Sequence, residues 1–336
     1  MRRPEFIIFT DKDGTLNLED SRLNTIFILV AKHNGMVIPI TGRTVGDIAE
    51  ELKRQKIKLP RIIIGDNGAN VYDTKNKEFI IKKTLEHEKV VKIVEEFLKN
   101  GGKIENLRYT DGSNIFASNA EEVKKYYKKS KTVKLYEDIL KELKENHEIT
   151  KITLAGSKKE MQCMADIVSK MNFWTDMDKT KFPSRDRNNY RLDIAHNNIN
   201  KGEAVNEIAT KLNPKYGYIC IGNGANDKSM FKVAIEHDMI AAIMDNASNE
   251  LIEEMEEYSK KLKKGKVVLI PMDKNLSNDK IDNWRKGFVQ HKKELERKNK
   301  IPTFKESLKV DIDIKNNKIK KIVNKNKNSR DSYREK

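Results

Sequence analysis

The stretch EFIIFTDKDGT, Glu5 to Thr15, decides how the rest of the chain is read. Phe6 to Phe9 form a short, wholly apolar run, which then turns through Asp11, Lys12, Asp13 and Gly14. A strand apolar on both faces belongs to a parallel sheet covered by helices. Two carboxylates two residues apart repel each other at neutral pH unless a cation lies between them or one stays protonated. A simple turn needs one Asp and the Gly, so the second acid points to chemistry. In an extended strand end, residues i and i+2 face the same way. That spacing predicts Asp11 and Asp13 facing one ligand, with Lys12 pointing away from both. Gly14 lets the chain turn sharply behind them.

The same grammar recurs on either side of a different middle. MVIPIT (36–41) and RIIIGD (61–66) are further apolar strands. They alternate with a helix from about Ser21, with Leu23, Ile26, Phe27 and Val30 on one face, and a second with Val45, Ile48 and Leu52. After residue 201 come a helix near Glu203–Leu212, YGYICIG, a helix near Asp227–Ile235, MIAAIM and VVLIP. Between them lie a long helix, Leu85–Lys99, and the strands ENLRYT and NIFAS. A lysine-rich helix pair, TKITLAG, a helix over Lys158–Met171, FWTDM and YRLDIA complete the middle. Its strands alternate apolar and polar residues, as in an antiparallel sheet with one covered face. The expected fold is α/β: a Rossmann-like parallel-sheet core (1–83 and 199–273) with an inserted α/β cap domain (84–198). Residues 274–336 form a basic C-terminal extension whose last twenty residues read as solvated or disordered.

Composition narrows the function. The chain has 336 residues, 35% of them charged, and its longest early apolar run, Ile26 to Ala31, is far too short to span a bilayer. Cys163 and Cys220 are too few for a disulfide framework, and a reducing cytoplasm is expected. The net charge is +16, but Met272 to Lys336 holds 20 basic and 10 acidic residues, so +10 of it lies in the tail. Nucleic acid is therefore not an expected partner of the main body; only the tail has the charge to track a phosphate backbone.

Four polar clusters fall at the carboxyl ends of the proposed parallel strands: DKDGT (11–15), TGRT (41–44), NKGEA (200–204) and GNGAND (222–227). Strand ends of an open α/β sheet are where such folds bind ligands. Carboxylates beside an amide suit a hard divalent cation with oxygen ligands, and a Thr hydroxyl and a Lys ammonium suit phosphate oxygens. This inventory implies phosphoryl transfer.

The order D-x-D-G-T, T-G-R, K-G and G-x-x-x-N-D resembles the haloacid dehalogenase superfamily of phosphohydrolases, and best its Cof-type branch with a large α/β cap. GDNGAN (65–70) is similar to that branch's Asn-Gly-Ala turn, YRLDIAHNNINKGEAV to its return from cap to core, and IMDNAS (243–248) to its late Asn-Ala turn. The resemblance covers about residues 4 to 272. It implies a Mg²⁺-dependent phosphatase acting on a small phosphorylated metabolite, a sugar or polyol phosphate. Asp11 would be the nucleophile and Asp13 the acid and base. Thr41, Gly42 and Lys201 would hold the phosphoryl group, and Asp11, Asp13, Asn223 and Asp227 the metal. Arg43, Asn67, Gly68, Asn226 and Asn246 would line the substrate pocket, with Arg185 and Arg187 of the cap loop able to reach an anionic substrate. One departure stands out: Asn223 occupies the position where the family usually has a metal-binding Asp. An amide oxygen coordinates without charge, so weaker Mg²⁺ binding is expected. The alternative is a non-catalytic or attenuated phospho-ligand-binding protein of the same fold.

Overall fold

The apolar runs become the buried strands of the sheets. Residues 3–15, 34–54, 59–128, 130–146, 148–180, 182–183 and 189–270 are described in a computed structural model, with the backbone of 310–313 and 318–321. The expected helix from Ser21 and the loop residues Arg185 and Arg187 lie outside the described residues. Met1–Ile281 forms one unit and Asp282–Lys336 another.

In the first unit, β1 (Ile7–Thr10) and β2 (Met36–Pro39) lead to helix α1 (Val45–Arg54), then β3 (Ile62–Gly65), β4 (Asn70–Asp73) and β5 (Glu78–Lys82). Helix α1 buries Val45, Ile48 and Leu52, and carries Asp47 in its first turn and Lys53 and Arg54 in its last, matching the helix dipole. The middle segment follows with α2 (His87–Lys99), β6 (Leu107–Thr110), β7 (Ile115–Ser118), α3 (Glu121–Tyr126), β8 (Val133–Tyr136) and α4 (Ile139–Glu145). It ends with β9 (Lys151–Gly156), α5 (Lys158–Ser169), β10 (Phe173–Lys179) and β11 (Tyr190–His196). The chain returns through α6 (Lys201–Leu212), β12 (Tyr218–Gly222), α7 (Lys228–Glu236), β13 (Ile240–Met244), α8 (Asn249–Leu262) and β14 (Lys266–Ile270).

The core sheet is parallel, in the order β14-β13-β12-β1-β2. Strand β1 lies where the order reverses: β2 follows on one side, and β12 to β14 extend on the other. Such a reversal opens the crevice in which this class of sheet takes its ligands. Ile7, Phe9, Ile38, Cys220, Ala241 and Ile243 carry the sheet into one apolar core with α6, α7 and α8. The middle segment has its own sheet, β10-β11-β9-β6-β7-β8, antiparallel except for the β7–β8 pair. Its apolar face packs on α2, α4 and α5 through Ile93, Phe97, Tyr109, Leu143, Ile152, Leu154, Met161 and Ile194.

Several expectations change. Strand β3 joins β2 by a single parallel bridge, Ile40–Ile64, and otherwise belongs to an antiparallel β3-β4-β5 sheet at the core's edge. Strand β8 lies unforeseen between the two lysine-rich helices. It is an edge strand with an exposed Lys134 and Leu135, so burial leaves little pattern in it. Helix α8 was likewise not foreseen; Ser248 starts it by accepting a hydrogen bond from the Leu251 amide. In the second unit, β15 (Val310–Asp313) pairs antiparallel with β16 (Lys318–Lys321), where no regular structure was expected in the last twenty residues. The alternation in VDID is the period-two signal that foretells such a hairpin.

Candidate active site

Strand β1 ends at Thr10, and the Asp11 amide still bonds back to the Ile221 carbonyl of β12 at 2.8 Å. Asp11 therefore sits at the sheet's carboxyl edge, beside the segment that follows β12, and is 6% exposed. Helix α6 brings it a cation. Asn200 caps that helix by accepting from the Glu203 amide at 2.9 Å, which fixes Lys201 as its first residue. Gly202 lets the helix start come close to α7, since a Cβ there would meet the Ser229 carbonyl at 2.5 Å. The Lys201 ammonium is wholly buried and donates to Asp11 Oδ1 at 2.5 Å and to Asp227 Oδ1 at 2.6 Å. Asp227 Oδ2 accepts from the Asn223 and Gly224 amides, both at 2.8 Å. A buried Asp11–Lys201–Asp227 row thus lies at the sheet's switch point.

The electrostatics follow from burial. Desolvation pushes the Asp11 carboxyl up to about 6, against the pull of Lys201 and with added repulsion from Asp227. Burial works against the Lys201 charge, but Asp227 and Asp11 outweigh it and hold the ammonium above its ordinary value.

Asp13 lies elsewhere. Its carboxylate is 52% exposed and is gripped by Arg43 through two bonds, Nε to Oδ2 at 2.9 Å and Nη2 to Oδ1 at 2.7 Å. Lys12 stands 3.2 Å from Asp13 and 2.8 Å from Glu51, so it turns towards an acid and not away from both. The reason is that strand alternation stops with β1: residues 11–15 form a turn, and the two acids take different partners. Arg43 also reaches Glu51 at 2.7 Å and Asp47 at 3.4 Å. Sequence reasoning missed both acids, although Arg43, Asp47 and Glu51 are spaced by four, a helix-face signal.

The other expected residues gather around this row. Thr41 is buried, and its Oγ1 accepts from the Arg43 amide at 3.2 Å. Asn67 Oδ1 accepts from Asn226 Nδ2 at 3.4 Å. Gly68 lies against Asn200, whose carbonyl a Cβ would meet at 2.7 Å. Asn246 Nδ2 donates to the Gly14 carbonyl at 3.1 Å. Gly14, at φ +80°, faces the Asn223 side chain so closely that a Cβ would meet its Nδ2 at 2.6 Å. Asn223 Oδ1 accepts from the Thr15 hydroxyl at 3.0 Å. Lys151 and Asp66, which join this site from the cap strand β9 and from the turn after β3, were not foreseen.

A hard divalent cation fits this donor set if it keeps several waters. Of the residues expected to hold it, Asp11 would offer a carboxylate, Asp13 a main-chain carbonyl and Asn223 an amide oxygen that here accepts from the Thr15 hydroxyl. Asp227, the fourth of the expected set, has its oxygens on Lys201 and on the Asn223 and Gly224 amides. Among the described residues no group of three or more His, Cys, Asp and Glu forms a ready cage.

The chain thus joins a parallel-sheet core, with an acid–lysine–acid row at its switch point, to a second, mostly antiparallel sheet. The model of the haloacid dehalogenase-like hydrolases matches residues 8–270, and the chain belongs to that family. Its fold is similar to that of a haloacid dehalogenase-like hydrolase from Bacteroides thetaiotaomicron (TM-score 0.60, 18% identity, 87% of this chain and 98% of that one). A Thermotoga maritima protein is also similar (TM-score 0.61, 21% identity, 89% and 98%). So is a sugar phosphatase of haloacid dehalogenase subclass IIB (TM-score 0.55, 20% identity, 88% and 99%). A search of the curated proteins finds no match. No helix among the described residues is long and apolar enough to cross a membrane.

Proposed function

We propose that the chain is a Mg²⁺-dependent phosphatase that hydrolyses a small phosphorylated metabolite, a sugar or polyol phosphate, in a reducing cytoplasm. The observation that carries this reading is the buried Asp11–Lys201–Asp227 row at the carboxyl edge of the parallel sheet. An Asp11 carboxylate oxygen attacks phosphorus, a bond forms between them, and the bond to the leaving oxygen breaks. Asp13, released from Arg43 and carrying a proton, gives that proton to the leaving oxygen and regains one from the water that cleaves the aspartyl-phosphate. Lys201 and the Thr41 hydroxyl hold the transferring group, with Asp227 keeping Lys201 charged and in place. Asp11, the Asp13 carbonyl and Asn223, with Asp227 behind them, would hold Mg²⁺, which would supply positive charge to the phosphoryl oxygens. Residues 84–198 act as the cap, and residues 274–336 stand outside the chemistry. The kinship in fold to a sugar phosphatase supports the same substrate class.

The test is phosphate release from a panel of phosphorylated sugars, polyols and one aryl phosphate, with Mg²⁺. Attack needs ionised Asp11, so the acid limb of the rate should rise with pH through about 6 at low Mg²⁺. The limb should move to lower pH as Mg²⁺ increases, because a bound cation favours the carboxylate. No phosphate release from any panel member would sink the reading and favour ligand binding without turnover.

Asn223→Asp should tighten Mg²⁺, since it adds a formal charge where charge count governs affinity. The Mg²⁺ concentration giving half of the full thermal stabilisation should fall several-fold, as should that for half-maximal rate. An unchanged or weaker Mg²⁺ response would remove Asn223 from the metal site.

A further inference from the structure

The turn after β2 is held by its carbonyls. The Thr41 carbonyl accepts from the Asn67 amide and the Arg43 carbonyl from the Asp66 amide, both at 2.8 Å. The middle carbonyl, that of Gly42, accepts from Lys151 Nζ at 2.5 Å. Lys151 opens β9 in the sheet of the middle segment, more than a hundred residues away in sequence, and is 6% exposed. Asp66 holds the ammonium in place: its Oδ1 is 3.3 Å from Lys151 Nζ. Its Oδ2 accepts from Asn70 Nδ2, Thr110 Oγ1 and Thr150 Oγ1 at 2.8, 3.1 and 3.0 Å. Asp66 is fully buried, and it and Asn67 both take left-handed backbone, at φ +48° and +55°. A local strain at two consecutive non-glycine residues costs free energy that the surrounding contacts must offset.

The consequence runs through one peptide plane. The Gly42 carbonyl and the Arg43 N–H belong to the same planar trans unit and point in opposite directions. Fixing the carbonyl on Lys151 therefore aims the Arg43 N–H, which donates to Thr41 Oγ1. A hydroxyl has a single proton, and with a lone pair occupied by this N–H its own O–H is set to donate. Each bond in such a chain polarises the next. We propose that Lys151 is a positioning residue: from the cap it orients the Gly42–Arg43 peptide, and so presets the Thr41 hydroxyl as donor to a phosphoryl oxygen. This rests on the phosphatase reading above for the identity of the group bound, and it makes the phosphate-holding loop dependent on the seating of the cap sheet.

The test is a double-mutant cycle in the full chain with Lys151→Met, Thr41→Val and the two combined. It is read by equilibrium affinity for inorganic phosphate in Mg²⁺ and by kcat and KM on an aryl phosphate. Lys151→Met alone should weaken phosphate binding and lower kcat, each about ten-fold, although Lys151 touches neither phosphate nor Asp11. In the Thr41→Val background the same change should add less than about two-fold, because the hydroxyl it acts through is gone. Lys82→Met, which removes the Lys82–Glu148 surface pair near the start of the cap, should match the wild type. Should Lys151→Met fail to fold with Asp66 left uncompensated, Lys151→Met/Asp66→Asn takes its place in the cycle. Recovery of phosphate affinity along with stability in that variant, or independent multiplication of the two effects, would overturn the proposal. Wild-type protein that binds phosphate without turnover would overturn the enzymatic reading alone, and the cycle in phosphate affinity would still decide this one.

Discussion

Asp11→Asn should lower turnover by more than about 10³-fold, the scale seen when an enzyme loses its nucleophile. The amide keeps the shape of the carboxylate and still accepts a hydrogen bond from Lys201, so the row stays assembled. What it lacks is the anionic oxygen that attacks phosphorus. Burial makes the contrast clean: at 6% exposure no bulk solvent stands in for the missing group. Asn at this site also removes a charge whose burial, more than the repulsion from Asp227, outweighs the pull of Lys201, so the variant should melt at or slightly above the wild-type temperature above about pH 6. The measurement pairs initial rates on the best substrate with a thermal melt and with single-turnover labelling by a phosphorylated substrate. Retained turnover in protein free of contaminating phosphatase would show that Asp11 is not the nucleophile.

Lys201→Met should damage both stability and chemistry. The ammonium is wholly buried and lies 2.5 Å from Asp11 and 2.6 Å from Asp227. Removing one partner of a buried ion pair costs about 3–5 kcal/mol, because the remaining charge stays desolvated and unpaired. The pH dependence has a definite sign. Asp11 already lies above its ordinary value of 3.8, at about 6, and loss of Lys201 raises it further. A carboxyl raised in the folded state contributes stability that is complete below 3.8 and is lost as pH passes through the folded value. The destabilisation of Lys201→Met should therefore be small at acid pH and grow as pH rises beyond about 6. Denaturant melts of both proteins across that range test it. A loss of stability independent of pH would mean that packing of the lysine stem, and not its charge, matters. Turnover should fall by orders of magnitude even at low temperature, where the variant stays folded, since the phosphoryl oxygens lose their buried cation.

The candidate site residues were legible because each is announced by its neighbours in the chain. Three apolar runs followed by DKDGT, TGRT and GNGAND place their polar groups at core strand ends by local rules alone, whereas NKGEA follows β11 of the other sheet and opens α6, against the expectation of a fourth parallel strand end. The apolar periodicity of Val45, Ile48 and Leu52 fixes the face of α1, and the change to alternating strands after residue 84 marks a second sheet. Asn200 before Lys201 is a cap that the sequence states outright. All of this depends on residues within a few positions of one another.

What the tertiary structure decided are the pairings across long separations. Asp13 and Arg43 meet because the β1 and β2 ends are neighbours in the sheet, and that contact turns Asp13 outward where alternation had it beside Asp11. Asp227 spends its oxygens on Lys201 and two amides, a choice set by how tightly α6 packs against α7. Lys151 carries no local mark at all. It is one lysine among many in a lysine-rich chain, and only the docking of β9 over the turn after β2 places its ammonium on the Gly42 carbonyl. Periodicity and capping act over one or two turns of chain, whereas a buried polar contact needs a partner brought from anywhere by the fold. The sequence by itself thus determined which polar residues gather at the end of the core sheet; which of them touch, and which are held apart, was settled only by the packing of the two sheets.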